Sequence, residues 1–216
     1  MRAKLIADSN KRKRRPVGKE FPLLVAYFKQ FEQEQRDGKR GGTQIPMSDI
    51  IQVAALNAFR RSELAKELRW SRIDNEHSLV VIFRKDSNGE LQNDGHRRRE
   101  AQTPLLRATR AVIDRQPRIA GEDRVFPFTA DTISQRFTNA VKALRKLYPG
   151  LFIDLRFHDL RHEAISKAAE VLSEMELKEL SGHQTTRHLV RYVHHQREGM
   201  KRIADKADGI ELKLAA

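Results

Sequence analysis

The sequence predicts a mainly α-helical domain with a small antiparallel β-sheet, an α+β fold, and three observations lead there. Apolar residues recur at helical spacing along most of the chain. Only the stretch SLVVIFRKDSNGELQNDGHRRREAQTPL changes period, to a β-branched run with turn residues after it. The 216 residues are enough for one sizeable core and too few for two large ones.

The elements follow in order. Lys11, Arg12, Lys13, Arg14 and Arg15 stand in a row before Pro16. Like charges repel and bury nothing, so residues 1–20 are expected to form a flexible basic arm or linker, either a solvated tail or a phosphate-contacting one. From Phe21, the residues Leu24, Tyr27, Phe28 and Phe31 line one helix face, with Gly38 as a stop. A second helix is predicted over 46–59, with Pro46 in its first turn and a broad apolar face of Ile50, Ile51, Ala54, Leu56 and Ala58. Ser62 is placed to cap a short helix, SELAKEL.

The hairpin should turn at Asp86 to Gly89 and return near Arg99 to Thr103. Pro104 should open another helix, to about Gln116, and TADTISQRFTNAVKALRKL one more, with Ile133, Phe137, Val141 and Leu144 along its buried face. From His158 onward the pattern breaks into three or four short helices, separated at Leu172/Ser173 and at Gly182, with Ser173 and Glu176 as a capping box.

Charge narrows the function. Lysine and arginine number 42 against 29 acidic residues, a net +13, and the pI is near 10.3. That excess favours a polyanionic partner, of which nucleic acid is the commonest in the cytosol; the plain alternative is a basic protein whose lysines are merely solvated. Without cysteine, disulfides, thiolate nucleophiles and cysteine metal sites are excluded. No apolar run approaches a bilayer-spanning length and no signal peptide follows the basic N-terminus, so a cytoplasmic, nucleoid-associated protein is expected.

Three stretches carry unusual chemistry: FRRSEL at 59–64, HDLRHE at 158–163 and GHQTTRHLVRY at 182–192. In the second, His158 and His162 are four apart, a spacing that suits a metal, but Arg161 beside them adds positive charge where a cation would sit. His158 and Arg161, three apart, form a donor pair suited to an anion. Arg60 lies at a helix junction, where a fork of donors and a helix N-terminus could converge on a phosphate; the alternative is an ion pair with Glu63 or Glu67.

In this order and spacing, the RRSEL and LRWSRID boxes, the hairpin lysine, HDLRH and LSGHQTTRHLVRYVH resemble the catalytic domain of the tyrosine recombinases, the phage integrase family. The resemblance spans about Phe21 to Asp205. It implies the DNA breaking-rejoining enzyme fold and a site-specific recombinase or integrase acting through a covalent 3′-phosphotyrosyl intermediate. By the same resemblance Tyr192 is the nucleophile, Arg60 and Arg161 clamp the scissile phosphate, and His158 and His183 are its further hydrogen-bonding or proton-transfer partners. Lys85 matches the hairpin lysine thought to protonate the leaving oxygen, a role that Arg97, Arg98 or Arg99 could share. Glu63 and His162 are supporting residues.

Double-stranded DNA is then the partner, contacted also by residues 11–15 and 97–99, with a homotetramer on paired sites and a monomer free in solution. No cofactor or metal is implied. The family's separate helical DNA-clamping domain has no counterpart before Phe21, which leaves 21–216 as the catalytic domain, either excised or reduced. Residues 195–216 are a candidate protomer-docking segment or an ordinary terminal helix with a frayed end. The same chemistry would suit a type IB topoisomerase, and the same fold a catalytically inactive DNA-binding regulator.

The reaction explains the residue types. A tyrosine hydroxyl has an ordinary pKa of about 10 and needs an acceptor or positive field to attack phosphorus. Negative charge gathers on the non-bridging oxygens in the transition state, where arginine forks act most strongly. The departing deoxyribose oxygen needs a proton.

Overall fold

The computed structural model describes residues 12, 14–91, 95, 97–183 and 189, the side chains of 85–89 and 91 excepted. Six α-helices, one π-helical turn, one short 3-10 helix and one three-stranded sheet account for the regular structure of these residues.

Helix α1 (Glu20–Arg36) buries Leu24 and Phe28, while Tyr27 and Phe31 pack partly buried at its rim. Helix α2 (Met47–Asn57) is apolar on nearly all sides: Ile50, Ile51, Val53 and Ala54 are fully buried. It is the central helix, packed against its neighbours by hydrophobic burial worth about 1.5–3 kcal/mol per large side chain. Its start is capped from outside, because Glu32 of α1 accepts hydrogen bonds from Ser48 N and Ser48 Oγ at 2.7 and 2.8 Å. At its end Ala58 adopts a left-handed conformation, φ 55°, which turns the chain toward Arg60.

The predicted SELAKEL helix is a π-helical turn over Glu63–Glu67, and Ser62 does not cap it. Glu63 Oε2 instead accepts the Arg60 backbone N–H. Strands β1 (Ile73–Asp74), β2 (Leu79–Leu91) and β3 (Arg97–Pro104) form an antiparallel sheet in that order. Here the turn expected at Asp86 to Gly89 is displaced. Strand β2 runs through those residues to Leu91, with a register irregularity between Lys85 and Glu90, so the turn-type residues are absorbed as a bulged strand.

Pro104 ends β3 instead of opening a helix. The next helix, α3 (Arg107–Asp114), starts three residues later, after Asn57 Nδ2 donates to Pro104 O and Leu106 N donates to Asn57 Oδ1. Helix α4 (Ala130–Leu147) is capped by Thr129 and buries Ile133, Phe137, Val141 and Leu144, the predicted face. Helices α5 (His158–Ala168) and α6 (Glu174–Ser181) follow, and the capping box of Ser173 and Glu176 forms as predicted. A main core unites α1 to α4 with the sheet; a smaller cluster of Ala58, Ala164, Ile165, Leu177 and Leu189 sits under α5 and α6.

The N-terminal residues that are described dock on this body. Arg12 bonds Asp159 through Nε and Nη2 at 2.6 and 2.7 Å, and Arg14 grips Glu20 at 2.6 and 2.8 Å. Glu20, 1% exposed, also accepts the N–H groups of Val17 and Phe152, tying the arm, α1 and the loop before α5 together. The expected free arm is thus, at Arg12 and Arg14, held by carboxylates. No helix among the described residues is long and apolar enough to cross a membrane.

Candidate active site

Arg60 with Glu63, Arg161 and His183 come from three stretches of the sequence: hydrogen bonds join Arg60 to Glu63 and, through Ser181, Arg161 to His183, and the charge of Arg161 acts on Glu63. Glu63, 4% exposed at the start of the π-helical turn, bonds Arg60 twice: Nη1 to Oε1 at 2.6 Å and the backbone N–H to Oε2 at 2.9 Å. The Arg60 side chain stays 38% exposed although Glu63 holds its Nη1, so part of the guanidinium is open to a ligand. The ion pair with Glu63 that the sequence offered as an alternative is therefore present, and it is what orients Arg60. Glu67 is engaged elsewhere, with Arg72 at 2.7 Å and Arg98 at 3.2 Å.

Burial alone would push the Glu63 carboxyl up, but the guanidinium groups of Arg84, Arg60 and Arg161 and the Arg60 N–H outweigh it and hold the group below the usual carboxylate range. Glu63 is accordingly an anion among three cations. The surplus positive charge is a preorganised field for an anionic ligand.

Arg161 reaches from α5 to the C-terminal ends of two helices. Its Nη1 donates to Ala58 O, at the left-handed cap of α2, and its Nη2 to Ser181 O, at the last residue of α6, at 2.6 Å. Helix ends carry exposed carbonyls and partial negative charge, so a buried guanidinium is well matched there. It fixes α5 against both ends at 3% exposure. His158, the first residue of α5, is exposed, and its ring packs edge-on against the buried His162 ring at 4.9 Å. His162 thus backs His158. No group of three metal-ligating side chains occurs among the described residues.

Gly182 caps α6 at φ 63° and delivers His183, whose Nδ1 lies 2.7 Å from the Oγ of fully buried Ser181. The same Ser181 thus meets Arg161 through its carbonyl and His183 through its hydroxyl. Such a contact holds the ring in place, the hydroxyl donating to Nδ1 or accepting from it according to the tautomer.

The remaining candidates divide. Lys85 has its backbone in β2, opposite Arg98, and its side chain lies outside the described residues, as do Lys11, Lys13 and Tyr192. Arg97 and Arg99 are exposed on β3, whereas Arg98 is half-buried against Glu67. Arg15 is exposed, with Glu163 at 3.9 Å. Arg12 and Arg14 are occupied by carboxylates, as described above.

One residue escaped the sequence reading. Arg84, 6% exposed, lies within the site: its Nε donates to Glu63 Oε1 at 3.3 Å and its Nη2 to Thr103 Oγ1 at 3.0 Å. The signal was available, since a basic residue at the end of the apolar run LVVIF is anomalous.

Comparison with known proteins gives the family and the fold. A shufflon-specific DNA recombinase of Escherichia coli is 35% identical over 147 residues, covering 67% of this chain; the chain spans about a third, 34%, of that relative's length. The fold is that of the Tn1549 transposon integrase, solved in complex with transposon right end DNA: TM-score 0.65 and 16% identity, over 92% of this chain and 69% of that one. The catalytic domain of bacteriophage HP1 integrase matches with TM-score 0.55 and 19% identity, over 88% of this chain and 93% of its own. The model of the phage integrase family matches residues 31–198, and the chain, with its arginine, HDLRH and glycine-histidine boxes folded around one charged centre, belongs to that family.

Proposed function

We propose that this chain is the catalytic part of a site-specific DNA recombinase that cuts and rejoins strands through Tyr192. The observation that carries the reading is that Glu63 holds Arg60 while Ser181 joins Arg161 to His183, with Arg60, Arg84 and Arg161 acting together on the Glu63 carboxylate as a positively charged centre. A phosphodiester is the ligand that such a centre fits.

In the reaction, the Tyr192 hydroxyl attacks phosphorus and gives its proton to a histidine or to solvent, while the bond from phosphorus to the 5′ oxygen breaks. Lys85 supplies the proton that the departing 5′ oxygen takes up. Arg60 and Arg161 neutralise the charge that builds on the non-bridging oxygens, and His158 and His183 add donors there. The products are a 3′-phosphotyrosyl ester and a 5′ hydroxyl. Attack of another strand's hydroxyl on that ester reverses the step without ATP. Exchange between two duplexes requires a tetramer on paired sites, with Arg97 and Arg99 of β3 and Arg15 as further DNA contacts.

The test is covalent trapping. Nicked duplexes tiled from DNA flanking the gene are incubated with the protein and resolved under denaturing conditions. A covalent adduct that Tyr192→Phe abolishes is expected; an equal yield from that variant would remove Tyr192 as nucleophile. Relaxation of supercoiled plasmid without strand exchange would instead identify a topoisomerase.

A further inference from the structure

Arg84 is a buried charge that the chemistry above does not use. A guanidinium out of water is tolerated only when its donors are matched, and Arg84 finds its partners in three separate parts of the site. Glu63 is one and Thr103 of β3 the second, at 3.3 and 3.0 Å. The third is the Gly182 turn. A methyl placed on Gly182 would lie 1.4 Å from Arg84 Nη1 and 1.9 Å from Cζ, so the guanidinium occupies the space that any side chain at 182 would need.

We propose that Arg84 is a positioning residue for the phosphate pocket, one flat cation that sets Glu63, and through it Arg60, while bearing on the turn that carries His183. This rests on the reading that Arg60 and His183 meet the scissile phosphate. The geometry separates the role from plain packing. Glu63 Oε1 is shared between Arg60 Nη1 at 2.6 Å and Arg84 Nε at 3.3 Å, so the carboxylate that aims Arg60 is itself held by a second guanidinium, from β2. Without Arg84 the carboxylate is free to follow Arg60 outward, and the Gly182 turn loses its support. A shift of about 1 Å in such groups costs on the order of 100-fold in rate. Lys85 is the next residue of β2, so the segment that carries the proposed general acid is fixed at the same point.

Charge acts in the same direction. The charged groups around Glu63 are Arg60 on its own turn, Arg84 from β2 and Arg161 from α5, with Arg84 the largest attraction; Arg99 of β3 and Arg60 in turn repel Arg84. Removing Arg84 makes Glu63 easier to protonate, and a protonated Glu63 releases Arg60.

The experiment is single-turnover cleavage, across a pH series, of a duplex on which the wild type forms its adduct. Arg84→Met is expected to cleave about 100-fold more slowly per folded molecule, with DNA affinity altered by no more than about threefold and the acid limb moved to higher pH. Arg84→Lys keeps the charge, so its acid limb should return to that of the wild type. Its rate should remain about 10-fold low, because one ammonium cannot hold Glu63 and Thr103 together while lying flat on Gly182. Gly182→Ala should be damaging alone and much less so in the Arg84→Met background, a coupling that two independent sites would not show. Wild-type cleavage by Arg84→Met, additive effects at 84 and 182, or a Lys variant whose acid limb moves as far as that of Met would each overturn the proposal. Wild type and Tyr192→Phe run alongside: no adduct from the wild type overturns the assigned reaction, whereas normal cleavage by Arg84→Met overturns the positioning role alone.

Discussion

The Glu63 carboxylate takes two hydrogen bonds from Arg60, one from its backbone N–H at 2.9 Å and one from its Nη1 at 2.6 Å. A residue three positions ahead in sequence thereby fixes both the main chain and the fork of the arginine, and the pair acts as one rigid donor unit.

Glu63→Gln should break that unit while keeping its volume. It leaves Arg84 buried without a counter-charge, at a cost of about 3–5 kcal/mol, and lets Arg60 swing, so cleavage should fall by about 100-fold. The pH dependence has a definite sign. Glu63 is held below its ordinary value of 4.5, so its stabilising contribution is complete above about 4.5 and is lost as pH falls through the lower folded value. Thermal melts below that point should show a steeper acid loss in the wild type than in Glu63→Gln. Parallel curves would mean that Glu63 is not held ionised by its arginines.

Why the sequence revealed some of this and not the rest follows from what each signal measures. Periodicity reports burial, so the spacing alone places Leu24, Ile50, Ile133 and Phe137 in the core, where all four lie. The boxes reported chemistry, so Arg60, Glu63, Arg161 and His183 were named as one site. Turn residues misled at Asp86 to Gly89, because the pairing of β2 with β3 on either side, at Lys85 and again at Glu90, carries the strand through them as a bulge. Ser62 was misread as a cap because a longer side chain, Glu63, reaches the same donor region first. The run Lys11 to Arg15 reads as a free arm, solvated or phosphate-contacting, since the partners of Arg12 and Arg14 include carboxylates more than a hundred residues away and one just after the run. Arg84 stands out in the sequence as a charge at the end of LVVIF, but its role does not, because its partners come from three segments that only the tertiary fold unites.

The arm arginines should separate into structural and DNA-facing. Arg12 pairs with fully buried Asp159, so Arg12→Ala should lower stability by about 1–2 kcal/mol, a fall of several degrees in Tm, with little change in the salt dependence of DNA binding. Arg15 is exposed and only loosely paired, at 3.9 Å from Glu163. Arg15→Ala should leave Tm nearly unchanged and reduce the slope of log affinity against log salt by about 1. A reversed pattern would make Arg12 the phosphate contact.

Ser181 should matter through His183. With its Oγ 2.7 Å from Nδ1, the serine anchors the imidazole ring. Ser181→Ala retains the backbone carbonyl that Arg161 uses, so the loss should be confined to the histidine: about 10-fold in cleavage rate, with the pH optimum displaced and DNA affinity unchanged. Loss of affinity with an unshifted optimum would assign the serine to packing.

Glu32 provides the opposite pH signature to Glu63. It lies in α1 and caps α2 by accepting Ser48 N and Ser48 Oγ. Burial pushes its carboxyl up, the two Ser48 bonds pull it down, Asp49 pushes it up again and Arg36 offsets part of this; the net direction is upward from 4.5. An acid with a raised folded pKa contributes stability that is complete below about 4.5 and lost as pH rises through the folded value. Glu32→Gln keeps a carbonyl to accept one Ser48 bond and never ionises, so it should lack that loss and stay within about 1 kcal/mol of the wild type at neutral pH. Glu32→Ala removes the cap and should cost about 1–2 kcal/mol throughout. Melting curves of the Gln variants should therefore depart from the wild type in different windows, Glu32→Gln above pH 4.5 and Glu63→Gln below it, and a shared window would refute one of the two assignments.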